Sequence, residues 1–274
     1  MSTIRYSAKL NILLVTKGHP FARDAFHAML DAIQDCAVTA VEHPAAEVFF
    51  SPGMAAPYDA IVLYDMPGID FAQRSPLGFV APSEALKRGW RALLASGKGV
   101  VFLHHAVAAW PAWPEYGDWT GARFLYAPGE ARGRSYPDSG YRHDVKHTVT
   151  PVDPRHPVAA GIEQGYEISD ELYLCPVFEE LVKPLLRSSH AFVPENFYSS
   201  ALAIQGKMFA SDGWTHPPGS NLAAWAQRIG RSQTATILGG DGPAAYENPG
   251  LRRLLENTIH WVADETRRHV NTAT

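Results

Sequence analysis

Gly97-Lys98-Gly99-Val100-Val101-Phe102-Leu103-His104-His105-Ala106 is the stretch on which the reading of this chain turns. From Val100 to Leu103 every residue is apolar, with no polar alternation. That is the pattern of a short strand covered on both faces, as in the middle of a parallel sheet. Two adjacent histidines close the strand, and both must find polar partners if they are buried. Ligands of open parallel sheets bind beyond the carboxyl ends of the strands, so His104 and His105 mark a candidate site.

Working outward, the same rhythm recurs on the N-terminal side. Residues 10–16 read as a buried strand that ends in the turn Lys17-Gly18-His19-Pro20. Phe21, Ala25, Met29, Leu30 and Ile33 then recur at helical spacing, and residues 37–41 return to strand character. A further strand, 58–64, runs into Asp65-Met66-Pro67-Gly68. Pro82-Ser83 opens a helix to about Ser96, with Ser83 as its N-cap and Leu86 and Trp90 inward. Alternating elements of this kind predict an α/β fold, a doubly wound, mostly parallel sheet with helices on both faces.

On the C-terminal side the pattern fails from Trp110 to about His147, predicting a long, aromatic-rich excursion over the strand ends. Strand-like pieces return at 145–149, 166–168, 202–204 and 235–238. Asn248-Pro249 starts a final helix with an apolar stripe of Leu251, Leu254, Leu255, Ile259 and Val262, expected to fray from about Arg267. A single domain over residues 1–274 is expected.

The 274 residues are 46% hydrophobic and 19% charged, with a formal net charge of −4. Such a chain can build a full core, and it lacks the basic footprint of a nucleic-acid binder. Met1 to Lys9 do not have the architecture of a secretory signal, and no apolar run approaches the roughly 20 residues that span a bilayer. A cytoplasmic protein without membrane contact is expected. Cys36 and Cys175 show no metal-type spacing and read as buried small hydrophobes. No Gly-x-Gly-x-x-Gly or phosphate-loop motif occurs, so no nucleotide cofactor is expected.

The residues just past successive strand ends are His19, Asp65, His104-His105 and Gly239-Gly240-Asp241. His104 sits where many α/β hydrolytic enzymes place a nucleophile on a sharp turn. It could serve as base, acid, nucleophile or metal ligand, or be a core histidine bonded to backbone. Asp170-Glu171, followed by Leu172-Tyr173, could cap a helix or supply an acid, a base or hard oxygen ligands. His143 and His147, four residues apart, share a face in a regular helix or strand, and their role stays open. In the excursion, Trp113, Trp119 and other aromatics interleave with Arg123 and further arginines. Flat apolar faces beside charged donors suit a sugar, although a core or a subunit interface would use the same aromatics.

Taken together, the motifs at 15–21, 97–106, 116–124, 156–157, 170–173, 238–241, 248–249 and 259–261 resemble the ThuA-like, or trehalose-utilisation-type, family. Nearly the whole chain is covered, in family order. The resemblance implies a flavodoxin-like scaffold related to class I glutamine amidotransferases, a role in sugar catabolism, and divalent-metal binding through shared histidines. In working amidotransferases a cysteine occupies the turn after the central strand and a histidine follows a later strand. Here those places hold His104 and Gly240, which argues against glutamine hydrolysis.

The expected function is therefore a carbohydrate-catabolic enzyme, a hydrolase, lyase or isomerase acting on a glycoside or keto-sugar. The alternative is a non-catalytic sugar-binding or regulatory module on the same scaffold. His104, Asp170 and Glu171 are the candidate catalytic residues. His105, Trp113, Trp119, Arg123, Tyr173 and Asp241 are candidates for substrate binding, and His19 with His104 for a divalent metal. The expected partner is a small carbohydrate or polyol, with a homo-oligomer compatible.

Overall fold

The computed structural model describes residues 10–74 and 77–271, so the reading of Met1 to Lys9 falls outside the described residues. The first half of the chain contributes β1 (Leu10–Lys17), α1 (Arg23–Asp31), β2 (Cys36–Glu42), α2 (Pro52–Ala55), β3 (Ala60–Asp65), the antiparallel pair β4 (Ile69–Arg74) and β5 (Leu77–Phe79), α3 (Glu84–Ser96) and β6 (Gly99–Leu103). Next come α4 (Pro114–Thr120), the hairpin β7 (Gly129–Ala131) and β8 (Arg134–Tyr136), β9 (Gly140–Pro151), β10 (Tyr166–Leu174) and β11 (Lys183–Ser188). The chain closes with β12 (Tyr198–Ser199), α5 (Ser200–Ile204), β13 (Leu222–Ile229), β14 (Ser232–Ile237), α6 (Pro243–Tyr246) and α7 (Pro249–Asn271).

One ten-stranded sheet organises these elements in the order β10-β9-β11-β13-β14-β6-β3-β1-β2, with β12 paired to β9. From β2 to β14 all neighbours are parallel, and their order is that of a flavodoxin-like sheet. Beyond β14 every pairing is antiparallel, with β13 and β9 running against the direction the other strands share.

Helices cover both faces because the central strands are apolar on both. Every residue of β3 and β6 is buried. On one face α1 and α7 pack Phe26, Met29, Leu30, Leu251, Leu254, Leu255, Ile259 and Val262 against β1, β3 and β14. On the other, α3 buries Leu86, Trp90, Leu93 and Leu94. The Ser83 hydroxyl accepts from Leu86 N, 3.1 Å away, and Gly97 ends the helix at φ 97°, a left-handed conformation that glycine adopts without steric cost.

Several expectations need correction. Residues 202–204 lie in α5, where the Ser199 hydroxyl caps the helix by accepting from Leu202 N. The piece at 166–168 extends to Leu174 and takes Asp170-Glu171 into a strand, not to a helix start. The excursion after Trp110 is not loop throughout: it contains α4, the β7–β8 hairpin and the first half of β9. β11 and β13 carry no alternation clear enough to read locally; they form because their neighbours offer unpaired strand edges. Cys175 is buried but Cys36 is only half-buried. The α7 helix continues through Asn271, past the expected fraying point. No helix among the described residues is long and apolar enough to cross a membrane.

Candidate functional site

His104 leaves β6 with φ 49° and starts a tight 3-10 turn that runs to Ala108. A left-handed backbone at a non-glycine residue is strained and persists only where the surroundings hold it, which is common at functional turns. The side chain is fully buried. Its Nδ1–H donates to the Leu238 carbonyl at 2.7 Å, and because a carbonyl only accepts, that bond assigns the ring's orientation. Nε2 then faces Glu171 Oε2 at 3.1 Å, Asp241 Oδ1 at 3.4 Å and the Tyr173 hydroxyl at 2.9 Å. Burial disfavours the imidazolium, yet the hydrogen bonds to Asp241 and Glu171 outweigh it and hold the His104 pKa well above the usual range.

Glu171 arrives from the antiparallel half of the sheet, and Asp241 from the loop that follows β14. Opposite Glu171 of β10, the partner strand β9 spends two residues, His143 and Asp144, because the register steps from Asp170↔Val145 to Leu172↔Arg142. Asp144 takes φ 55° in this bulge. The extra residue inverts the alternation of β9. Tyr141 and His143 therefore join Glu171 and Tyr173 on the pocket face, while Val145 joins Leu172 and Leu174 on the other. His143 and His147 consequently do not share a face. His143 Nδ1 lies 3.4 Å from Glu171 and 3.8 Å from Asp241, whereas His147 Nδ1 bonds the Ser188 hydroxyl at 2.8 Å. The nearby Asp241 carboxylate leads in raising the His143 pKa, against partial burial.

Asp241 is held in place from several sides. Asp170 accepts from Gly240 N at 2.6 Å, Asp241 N at 3.1 Å and Glu171 N at 2.9 Å. Its carboxylate oxygens are thus occupied by backbone, and burial pushes its pKa up to about 6 despite those bonds. Asp170, expected as a catalytic acid, lies outside the pocket lining and braces the Gly240-Asp241 loop. A Cβ at Gly239 would sit 2.8 Å from its Oδ2, so only glycine lets the loop approach this closely. From the other side the Tyr64 hydroxyl donates to the Gly240 carbonyl at 2.7 Å and that of Tyr246 to the Asp241 carbonyl at 2.7 Å. Burial opposes ionisation of Asp241, but the neighbouring His104 and His143 rings prevail and hold it far below the usual carboxylate range.

One ligand atom each from His104, Glu171 and Asp241 lie within 4.8 Å of one another, a group able to hold a metal ion. His19 does not join this group. It lines the adjoining pocket, its buried Nδ1 without a hydrogen-bond partner, and its ring lies 4.7 Å from that of His105. Burial and neighbouring His104 lower the His19 pKa. His105, expected to touch substrate, is instead packed on Tyr64 at 4.1 Å between ring centres, with Nε2 donating to the Tyr64 carbonyl. Burial first, then His104 and His19, push its pKa well down, so it stays neutral.

The pocket beside the cluster has a volume of about 330 Å³ and includes His19, Phe124, Tyr126, Tyr141, His143 and Tyr173 in its lining. Tyr173 is thus at the site as expected, stacked on His104 at 4.9 Å. Three other residues expected to bind substrate are not there. Trp113 and Trp119, 4.7 Å apart, pack with Trp90 and Tyr116 in the core beneath α3, because α4 folds its aromatic side inward. Arg123 donates to the carbonyls of Pro111 and Glu130 and lines a separate depression. Tyr64, Tyr246 and the Leu238 carbonyl escaped the sequence reading, since nothing local marks residues that act only through long-range bonds.

A family profile described as ThuA, trehalose utilisation, matches residues 11–262. The chain belongs to the ThuA family. Among curated proteins, none is similar enough to count as a match. The fold is shared with a protein described as ThuA-like from Parabacteroides merdae ATCC 43184, at 17% identity and a TM-score of 0.64, covering 93% of this chain and 90% of that one. A second protein so described, from Bacteroides uniformis ATCC 8492, aligns at 14% identity and a TM-score of 0.59 over 95% and 94% of the two chains. A protein from Thermoplasma acidophilum, described as one of the subunits of a GMP synthase, aligns at 8% identity and a TM-score of 0.50 over 97% and 100%. The ThuA-family chain therefore has the flavodoxin-like, amidotransferase-like fold. At the turn after β6 it carries His104, and after β14 Gly240.

Proposed function

We propose that this ThuA-family protein is a metal-assisted enzyme of carbohydrate catabolism, a hydrolase, lyase or isomerase acting on a glycoside or keto-sugar. The observation that carries the proposal is the cluster of His104 Nε2, Glu171 and Asp241. The donor set suits a divalent cation. One imidazole nitrogen is joined by two carboxylates, and the other nitrogen of His104 already donates to a backbone carbonyl, the outer contact that fixes a ligating histidine. When bound, such a cation polarises a carbonyl or lowers the pKa of a bound water. His143 and His19 stand at the pocket outside the cluster, placed to hold or move a proton at Nδ1. Tyr173 shields His104 from water by stacking on it.

Elemental analysis of the purified protein, followed by calorimetric titration with Mn²⁺, Zn²⁺ and Mg²⁺, tests the centre. One ion per chain is expected, with Glu171→Gln and Asp241→Asn each weakening binding at least about 100-fold, more than the loss typical of an outer-contact change. Equal binding by the wild type and both variants, or none by the wild type, would remove the metal from the proposal. Sugar binding without turnover by the metal-loaded protein would assign it to the binding modules instead.

A further inference from the structure

The walls of the pocket do not suit a ligand hydroxylated on every side. Beyond the floor, the lining consists mostly of Met66, Phe71, Leu77, Phe124, Ile204 and Met208 together with tyrosines. Most of the hydroxyls there are already engaged within the protein. Tyr126 donates to the Ala108 carbonyl and Ser200 to the Leu125 carbonyl, while the Tyr173 hydroxyl faces His104 and that of Tyr141 accepts from Phe209 N. A polyol buried against such a wall would leave hydroxyls without partners, which costs more than the contact returns. The apolar character also continues outward. Phe71, Phe79, Met208 and Phe209 are between 42% and 58% exposed, and they lie on the β4–β5 pair and on the segment after α5, both of which contribute to the pocket. The Phe79 ring is 5.9 Å from Tyr126, and that of Phe209 is 6.0 Å from His143.

We infer that the substrate is a glycoside whose aglycone is an aryl or alkyl group, seated against Phe124, Tyr126 and Tyr141 beneath Phe71, Leu77 and Met208, with its sugar at the carboxylate and histidine floor. The inference rests on the carbohydrate reading above and narrows it. The ionisable groups gather around His104 and the remaining lining is mostly apolar or tyrosine, so a ligand with the same division satisfies both.

Calorimetry of the full chain with phenyl β-D-glucopyranoside, hexyl β-D-glucopyranoside, trehalose and phenol separates the alternatives. At least one of the two glucosides is expected to bind at least about tenfold more tightly than trehalose, with a negative heat-capacity change. Met208→Ser and Phe71→Ser, both at exposed positions, should each reduce that preference about threefold or more. Trehalose binding as tight as either glucoside overturns the aglycone inference and leaves the carbohydrate reading standing. Phenol binding as tight as its glucoside overturns the carbohydrate reading itself, and no binding by any of the four overturns both. Rim variants that alter sedimentation but not glucoside binding assign the rim to a second copy of the chain, and they too overturn the inference.

Discussion

The two halves of the sheet carry different burdens. From β2 to β14 the strands are parallel, with β3 and β6 apolar and buried throughout, and the candidate site residues of this half stand in the turns at the strand ends, at His19, His104 and Asp241. From β13 to β10 the strands are antiparallel, and candidate site residues such as His143, Glu171 and Tyr173 come from strand interiors, aimed by a bulge. A buried parallel strand cannot present a carboxylate from its middle without burying an unpaired charge. An antiparallel strand with one face toward a pocket can. The site therefore forms where the two halves meet, with the rigid side fixing a histidine and the bulged side bringing an acid to it.

This division predicts which substitutions damage stability and which damage the site. Trp119→Ala in the parallel half's core should cost about 3–5 kcal/mol in urea denaturation, while the variant that still folds keeps its ligand stoichiometry. Loss of ligand binding at unchanged stability would place Trp119 at the site after all. Asp170→Asn acts at the seam: it removes the charge that accepts from Gly240, Asp241 and Glu171, with an expected cost of about 2 kcal/mol together with weaker metal binding. Unchanged stability with turnover abolished would restore Asp170 as a catalytic acid and blur the comparison.

The smallest effect concerns the far face of the antiparallel half. Burial, with neighbouring His190, depresses the His147 pKa from 6.5 to about 4. The unfolded chain therefore takes up this proton first, and the native state loses stability as pH falls from about 6.5 toward 4. The neutral ring's contribution is complete above 6.5. Denaturation series at pH 7.5, 6 and 4.5 should show a decline of about 1–2 kcal/mol that His147→Gln reduces. Identical slopes for the two proteins would show that His147 is not the group responsible.

The parallel half was legible because its signals are local. Gly97 and Ser83 delimit α3, and the uninterrupted run at 100–103 can only be a covered strand, so the turn bearing His104 follows directly. The antiparallel half was not. β11 and β13 lack a pattern of their own, and Trp113 and Trp119 look the same in sequence whether they face a sugar or a core. Glu171 was singled out, but its neighbour Asp170 differs from it only in what lies opposite, which depends on a loop some 70 residues away.

Local periodicity and turn chemistry thus dictate the elements, the winding of the sheet and the place of His104, because each depends on residues within a few positions of one another. The family motifs extend that to the fold. Which groups meet His104 is set at long range: the Leu238 carbonyl orients its ring, the bulge at His143-Asp144 turns Glu171 and His143 toward it, and Asp170 with Tyr64 and Tyr246 holds Asp241 in place. These contacts exist only once distant strands have paired, and alternation along one strand cannot announce the extra residue that inverts it.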